Sequence, residues 1–310
     1  MVPKVTIPEL MHATLEFFKE RGIESNRLDE KSRKISSQEL LESLNLLEEG
    51  ILKRAAILLF HPYPEKYVTG AYVKIGFFLS ESDLQFQDDI HGNLFDQVEK
   101  TMELLLTKYT KAMIKYQGLS RIETYEYPKE ALREALLNAV SHKDYSGGSP
   151  IQIKVYNDKI LFWNEGKLPD AWTINNLLES HSSRPFNPDI ANAFFRSGYV
   201  ESWGRGISKI KEQCSKEGLP APSFSNEGSD FWVMFRKDIY NRENLSVLGL
   251  KERQIEALLF FKANGYIRSS EYALQLNISD RTARRDLLEL VEKNVLVSQG
   301  DRKLTKYHYK

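Results

Sequence analysis

The chain has 310 residues, 41% of them hydrophobic and 28% charged, with Lys plus Arg and Asp plus Glu equal at 43 each. That balance excludes a disordered chain and confines any nucleic-acid affinity to a local patch. The single cysteine, Cys214, excludes an internal disulfide and fits a reducing cytoplasm, and no leader-like opening or apolar run of about 18 residues argues for export or a membrane span.

In chain order, the first predicted helices cover 8–22 and 37–48, the second opened by Ser36 with Glu39 three residues later as a capping box. "AAILLF" (55–60) and "YVKIGFFL" (72–79) read as strands, separated by the turn signals of "HPYPEKYVTG". Leu94, Val98, Met102, Leu105, Tyr109 and Met113 keep helical spacing, which predicts a helix over 93–116. A further helix is expected over 128–143. Leu132, Ala135, Leu136, Ala139 and Val140 cover one side of it, while Glu134, Asn138, Ser141 and His142 share a narrow polar arc. After Gly147-Gly148, "IQIKVYNDKILFWNEG" alternates as a hairpin turning at Asn157-Asp158. Helices are expected over 188–197 and 206–217, a strand over 230–236, and a linker over 238–250.

Several chemistries lack their residues. There is no G-x-x-x-x-G-K-[ST] segment, no H-x-x-x-H pair among the six histidines, and no G-x-S-x-G elbow.

The last segment has a different rhythm. Helix 269–276, a tight turn at Asn277 and helix 280–293 capped by Ser279 predict a helix-turn-helix. Ala283, Leu287, Leu290 and Val291 point inward, which leaves Arg281, Thr282, Arg284 and Arg285 near the exposed N-terminal end of the third helix. Such residues meet base edges and phosphates in a major groove. "VLVSQGDRKLTKYHY" has the form of a wing, with Arg302, Lys303 and Lys306 placed to meet phosphate. From 246 to 310 there are 12 Lys and Arg against 8 Asp and Glu, a modest local surplus. The run Ser279, Arg281, Thr282, Arg284, Arg285, Asp286, Leu287, Leu290 resembles the recognition helix of DeoR-type bacterial regulators. That resemblance implies a winged helix on double-stranded DNA; a winged helix used for protein contacts is the alternative.

The polar arc on helix 128–143 has a bland reading, an ordinary solvated face, and a chemical one. A metal-bound triphosphate needs an oxygen ligand for magnesium, a carboxylate to activate water, and backbone N–H groups around phosphate. Glu134 and Asn138 could supply the first two. "WGRGISKI" (203–210) could supply the third through Gly204, Gly206 and the helix start that follows. On spacing alone each feature is weak.

Their order carries more weight. "EALLNAVSHKDYS…IQIKVYNDKILFWNEGKLP…SSRPFNPDIANAFFRSGYVESWGRGISKI" resembles the RecG-like GHKL (Bergerat, HATPase-type) domain of transcriptional regulators over about 120–237. The resemblance implies an α/β (α+β) fold in which helices lie on a sheet. It implies Glu134 as general base and Asn138 as magnesium ligand, Asn164 and Gly166 in the adenine motif, and Gly204, Arg205 and Gly206 at the phosphates, with ATP and Mg2+ as cofactors. Asn164 and Leu168 depart from the family's D-x-G-x-G, and the phosphate loop is short, so nucleotide binding and hydrolysis are separate questions. In such regulators an AlbA-like, Schlafen-type domain usually precedes, and residues 24–60 look like the junction downstream of it; the chain is expected to be a fragment or a short member.

Among other residues, His142 is expected to complement its helix dipole rather than touch phosphate. "HSSRPFNP" (181–188) is either a lid carrying Arg184 to ligand or a rigid connector. Phe194, Phe195, Tyr199 and Trp203 are expected in the core, and Glu201 either pins the glycine loop or is solvated.

The expected organisation is a helical segment at 1–50, an α/β segment at 51–120, the GHKL-like domain at 121–240 and a winged helix-turn-helix at 246–310. The expected function is a cytoplasmic, oligomeric, DNA-binding transcriptional regulator with a nucleotide-sensing domain. The alternatives are an ATPase working through Glu134 and an assembly module with a degenerate pocket. Helicase action is rejected for want of a P-loop.

Overall fold

The computed structural model describes residues 2, 4–117, 120–179, 181–201, 204–237, 240, 242–300 and 305–309; within these, the side chains of 113–124, 243, 244 and 263 are not described. It divides into two compact units, Met1–Lys237 and Asp238–Lys310.

The first unit opens with α1 (His12–Glu24), α2 (Ser37–Ser43), the short pair β1 (Leu47–Glu48) and β2 (Ile51–Leu52), and α3 (Arg54–Phe60). β3 (Val73–Ser80), β4 (Asp83–Ile90), α4 (Leu94–Leu104), a π-helical turn (Leu105–Tyr109), and the hairpin β5 (Ala112–Gln117) and β6 (Ser120–Tyr125) follow. Next come α5 (Lys129–His142), β7 (Ile151–Val155), β8 (Lys159–Glu165), α6 (Ile174–Leu178), α7 (Pro188–Arg196) and α8 (Gly206–Lys216), closed by β9 (Ser223–Glu227) and β10 (Asp230–Arg236).

Four elements differ from their sequence expectation. Residues 55–60 are helical, because Ala56 to Phe60 are all at most 1% exposed and a run buried all round shows neither helical nor strand periodicity. The helix from 94 stops at Tyr109, where the Thr110 N–H and hydroxyl both bond the Leu105 carbonyl, at 2.9 and 2.7 Å. The helix from Ser37 ends at Ser43, since Asn45 takes a left-handed backbone (φ +59°) that no helix continues. The expected linker contains a helix, Arg242–Ser246.

Six strands form one sheet in the order β4-β3-β7-β8-β10-β9, with β3 and β7 parallel and the other neighbours antiparallel. Strand alternation decides what faces the helices. On β7, Ile151, Ile153 and Val155 are buried; on β8, Ile160, Phe162 and Asn164 are. Asn164 therefore shares a face with core residues. α5 packs on β8, and α8 packs on α5. One hydrophobic core runs from Val5 to Phe235 and includes Phe194 and Tyr199, as expected; Phe195, expected with them, is half-buried outside that core with the Arg27 guanidinium 4.0 Å from its ring centre, and Trp203 lies outside the described residues.

The second unit holds α9 (Arg242–Ser246), α10 (Glu252–Phe261), β11 (Tyr266–Arg268), α11 (Ser269–Gln275), α12 (Asp280–Glu292), β12 (Leu296–Gln299) and β13 (Lys306–Tyr309). Its strands order β11-β13-β12, and Ala257, Leu258, Tyr272, Ala283, Leu287 and Leu290 anchor a separate core. Among the described residues, no helix is long and apolar enough to cross a membrane.

Candidate functional site

The polar arc of α5 does not face solvent. Glu134, Asn138, Ser141 and His142 line a cavity of about 130 Å³, together with Asn164, Gly166, Gly204, Arg205 and Gly206. The floor is apolar: Phe162, Phe231 and Val233 from the sheet, and Ile207 from α8.

Contact with the glycines is close. A Cβ on Gly206 would lie 2.4 Å from Glu134 Oε1 and 3.1 Å from Asn138 Nδ2, so the first turn of α8 meets the arc without room for a side chain. The Glu134 carboxylate thus sits at the positive end of a helix. Burial pushes the Glu134 carboxyl above its ordinary value, partly offset by Lys209, Arg133 and the hydrogen bond to Asn138. Lys209 gave no sign in the sequence; it becomes visible only once α8 is laid against α5.

At the other end, Asn164 is 3% exposed and its amide donates to the Glu165 carbonyl at 3.2 Å. A donor fixed in this way leaves the amide oxygen as the acceptor for a ligand. A Cβ on Gly166 would lie 2.7 Å from the His142 carbonyl, so glycine is required there by space.

Residues 167–179 and 181–186 form a strap beside the cavity, contributing Leu168, Trp172, Leu177, His181 and Arg184 to its walls. Gly204 takes φ +67°, and a Cβ there would meet the His181 carbonyl at 2.2 Å. The strap therefore packs directly on the glycine turn, and the Arg184 guanidinium lies 5.4 Å from the Trp172 ring centre. Asn187 ties down its far end, donating from Nδ2 to the Ser141 and Lys143 carbonyls at 3.1 and 2.7 Å. Glu201 pairs with Arg205 at 2.8 Å, and both side chains are largely exposed, so Glu201 is paired and solvated at once.

His142 corrects an expectation. Burial, with His181 nearby, pushes its pKa down to about 4, so the ring is neutral near pH 7 and does not offset the helix dipole by charge. The Asn187 amide satisfies that helix end instead. Lys143, fully buried, donates to the Asp144 carbonyl at 3.0 Å; the sequence marked neither residue.

In the second unit, α12 is capped by Ser279, whose hydroxyl accepts from the Thr282 N–H at 3.2 Å. Asn277, at φ +50°, makes the turn before it. Arg281, Arg284 and Arg285 are exposed and Thr282 is half-buried, its hydroxyl 3.0 Å from that of Ser279. Asp286 is fully buried and gripped by Arg253, with Nε–Oδ2 at 2.6 Å and Nη2–Oδ1 at 2.9 Å. Burial pushes its carboxyl upward, but Arg253, Lys251 and the Tyr272 hydroxyl outweigh it and hold the group below its ordinary value. Arg302 and Lys303 lie outside the described residues. Lys306 lies over the Tyr266 ring, 4.4 Å from its centre.

Residues 148–235 match the family described as "Putative ATP-dependent DNA helicase recG C-terminal" (HATPase_c_4), and residues 253–299 match the DeoR-like helix-turn-helix domain. The first match starts after α5, so Glu134 and Asn138 stand on geometry alone. No curated protein matches the sequence. Among solved structures, the crystal structure of the DIP2311 protein from Corynebacterium diphtheriae is similar, with a TM-score of 0.63 and 18% identity over 100% of this chain and 63% of that one. The chain thus spans about 63% of that protein's length, and at this identity the likeness is one of fold. Within one chain, a recG-C-terminal HATPase-type domain is followed by a DeoR-like helix-turn-helix domain.

Proposed function

We propose that the chain is a transcriptional regulator in which the winged helix binds double-stranded DNA and the cavity beneath α5 takes a purine nucleotide with magnesium. The supporting observation is convergence: seven residues from 134 to 206, far apart in sequence, line one cavity. The donor set fits magnesium, which takes one or two protein oxygens and completes its shell with phosphate and water. Asn138, beside the Glu134 carboxylate, would hold the ion, and the ion would neutralise phosphate charge at the start of α8. Asn164 would accept from the base amino group. Glu134 would orient or deprotonate a water, and burial, which raises its pKa above the ordinary value, makes it a stronger base than a solvated carboxylate.

A nucleotide couples to DNA only if it favours one of the two DNA-affinity states. Two chains on a two-fold site are the assembly this reading expects, in the cytoplasm where the DNA is. Calorimetric titration of the full chain with Mg-ATP tests the pocket. Wild type should bind, and Asn138→Ala should bind at least about tenfold more weakly, the loss of one charge-assisted contact. Binding without phosphate release leaves a sensor; release abolished by Glu134→Ala makes the domain an ATPase. No heat and no thermal shift in wild type would remove the nucleotide from this reading.

A further inference from the structure

The apolar residues of α12 do not by themselves fix which way the helix faces. Leu287, Leu288, Leu290 and Val291 form a continuous apolar arc. Leu287 and Leu290 are fully buried, whereas Leu288 is 51% exposed. Val291, half-buried, packs against the same core. Turning the helix by one residue, about 100°, would bring Leu288 inward in place of Leu290, with Leu287 and Val291 staying on the inner side. Apolar burial is non-directional and distinguishes such arrangements weakly. In the turned arrangement Arg284 would point into the core and the Asp286 carboxylate would face outward.

Burying Arg284 already disfavours the turned arrangement, and Asp286 fixes the rotation further with directional contacts. Its carboxylate receives the two-pronged Arg253 guanidinium at 2.6 and 2.9 Å, and the Tyr272 hydroxyl at 3.4 Å. Its main-chain carbonyl accepts from Gln254 Nε2 at 3.2 Å. Consecutive residues of α10 thus hold both the side chain and the backbone of one residue of α12, while α11 reaches the same carboxylate. Gln254 is itself fully buried. A planar guanidinium on a carboxylate fixes angle as well as distance. A buried ion pair is weak evidence for stability, and setting register is its best-attested use.

We propose that Asp286, clamped by Arg253, is a positioning residue for DNA recognition: it sets the rotation of α12 so that Arg281, Arg284, Arg285 and Leu288 meet the duplex as one face. This rests on the DNA-binding reading above. Arg253 and Asp286 carry one charge of each sign, so the pair is neutral and sets which way the positive face points without altering its charge; Lys251, 3.7 Å from the same carboxylate, also pairs with Glu289.

The test exploits that neutrality. Arg253→Met with Asp286→Leu removes one charge of each sign and fills the space with apolar side chains, a replacement that usually preserves folding. The full-length variant and wild type are titrated against a duplex selected from a random pool by wild type and against a scrambled duplex of the same composition. Melting should stay close to wild type, and the salt dependence on scrambled duplex should not change, because it reports charge. The affinity ratio between selected and scrambled duplex should fall at least tenfold. Arg253→Lys, which keeps the charge but not the two-pronged grip, should lower the ratio about threefold and decides the question if the double variant fails to fold. A wild-type ratio in Arg253→Lys and in any folded double variant overturns the proposal. Arg284→Ala with Arg285→Ala separates the two readings. If that pair binds as wild type, the DNA-binding reading falls; if it loses binding while the clamp variants keep full discrimination, only the clamp falls.

Discussion

The two units treat charged side chains in opposite ways. In the first, Glu134 is turned into a cavity with no ion pair within 4 Å among the described residues, and burial raises its pKa. In the second, Asp286 is buried more completely, yet Arg253 and Lys251 surround it and its pKa falls. A carboxylate that is buried and fully paired is finished; its work is to hold the fold. A carboxylate that is buried and incompletely paired has capacity left for a proton, a metal ion or a ligand. The outward arginines of α12 complete the contrast: they remain in water, where long-range attraction to phosphate acts before contact.

The largest expected effect tests the outward half of that contrast. Arg284→Ala with Arg285→Ala should weaken duplex binding at least about a hundredfold and flatten its salt dependence, with little change in melting, since both side chains are exposed. Fluorescence anisotropy across a salt series measures this. Unchanged affinity would mean that α12 is not the recognition surface.

The inward half is more readily broken from its frame than from its polar groups. Asn187→Ala leaves the Lys143 carbonyl without its amide donor at the joint between α5 and the strap, while the Ser141 carbonyl keeps the residue 187 N–H at 3.1 Å. Stability should fall by about 1–2 kcal/mol, the cost of stranding one acceptor. Urea unfolding should show the midpoint moving at constant slope. A loss no larger than that of an exposed substitution would show that the strap is not fastened there.

How much of each site was legible follows from how local it is. α12 is one contiguous run: Ser279 caps it, Asn277 turns before it, and the outward arginines follow from helical periodicity. The cavity is assembled from α5, the end of β8 and the start of α8, and no single stretch specifies it. Order along the chain pointed to Glu134, Asn138, Asn164 and the glycines, and the structure brings them together. What the sequence concealed depends on tertiary contact. Lys209 acts across a helix pair, His142 loses its charge through burial, and Asp286 looked like one more motif residue until Arg253 was seen opposite. Residues 55–60 hide their helix for a related reason: an all-apolar run carries no period to read.

Asn164→Asp sharpens the comparison within the cavity. The change restores the family's carboxylate but removes the donor that bonds the Glu165 carbonyl at 3.2 Å. Without ligand, stability should drop by about 1–2 kcal/mol. Mg-ATP should raise the melting temperature of Asn164→Asp by more than that of wild type, because the base amino group would donate to a carboxylate, a charge-assisted bond, rather than to a neutral amide. Thermal melts with and without Mg-ATP decide this; an equal rise in both proteins would show that residue 164 does not meet the base.

The smallest effect concerns Glu134 itself, and its sign separates the two kinds of buried carboxylate. A carboxyl whose folded pKa lies above its ordinary value of 4.5 contributes stability below that value and loses it as pH rises through the folded value. Glutamine keeps the shape and cannot ionise. Glu134→Gln without ligand should therefore melt above wild type near pH 7, and the two curves should converge as pH falls to 4.5 and below. Asp286, held below its ordinary value, runs the other way: its contribution is present at neutral pH and is lost as pH falls through its folded value. Melting of wild type and Glu134→Gln from pH 4 to 8 reads the difference directly. A gap that stays constant with pH, or that widens in acid, would mean that Lys209 and the helix start already satisfy Glu134, leaving it as settled as Asp286 and without spare capacity for a magnesium-bound phosphate.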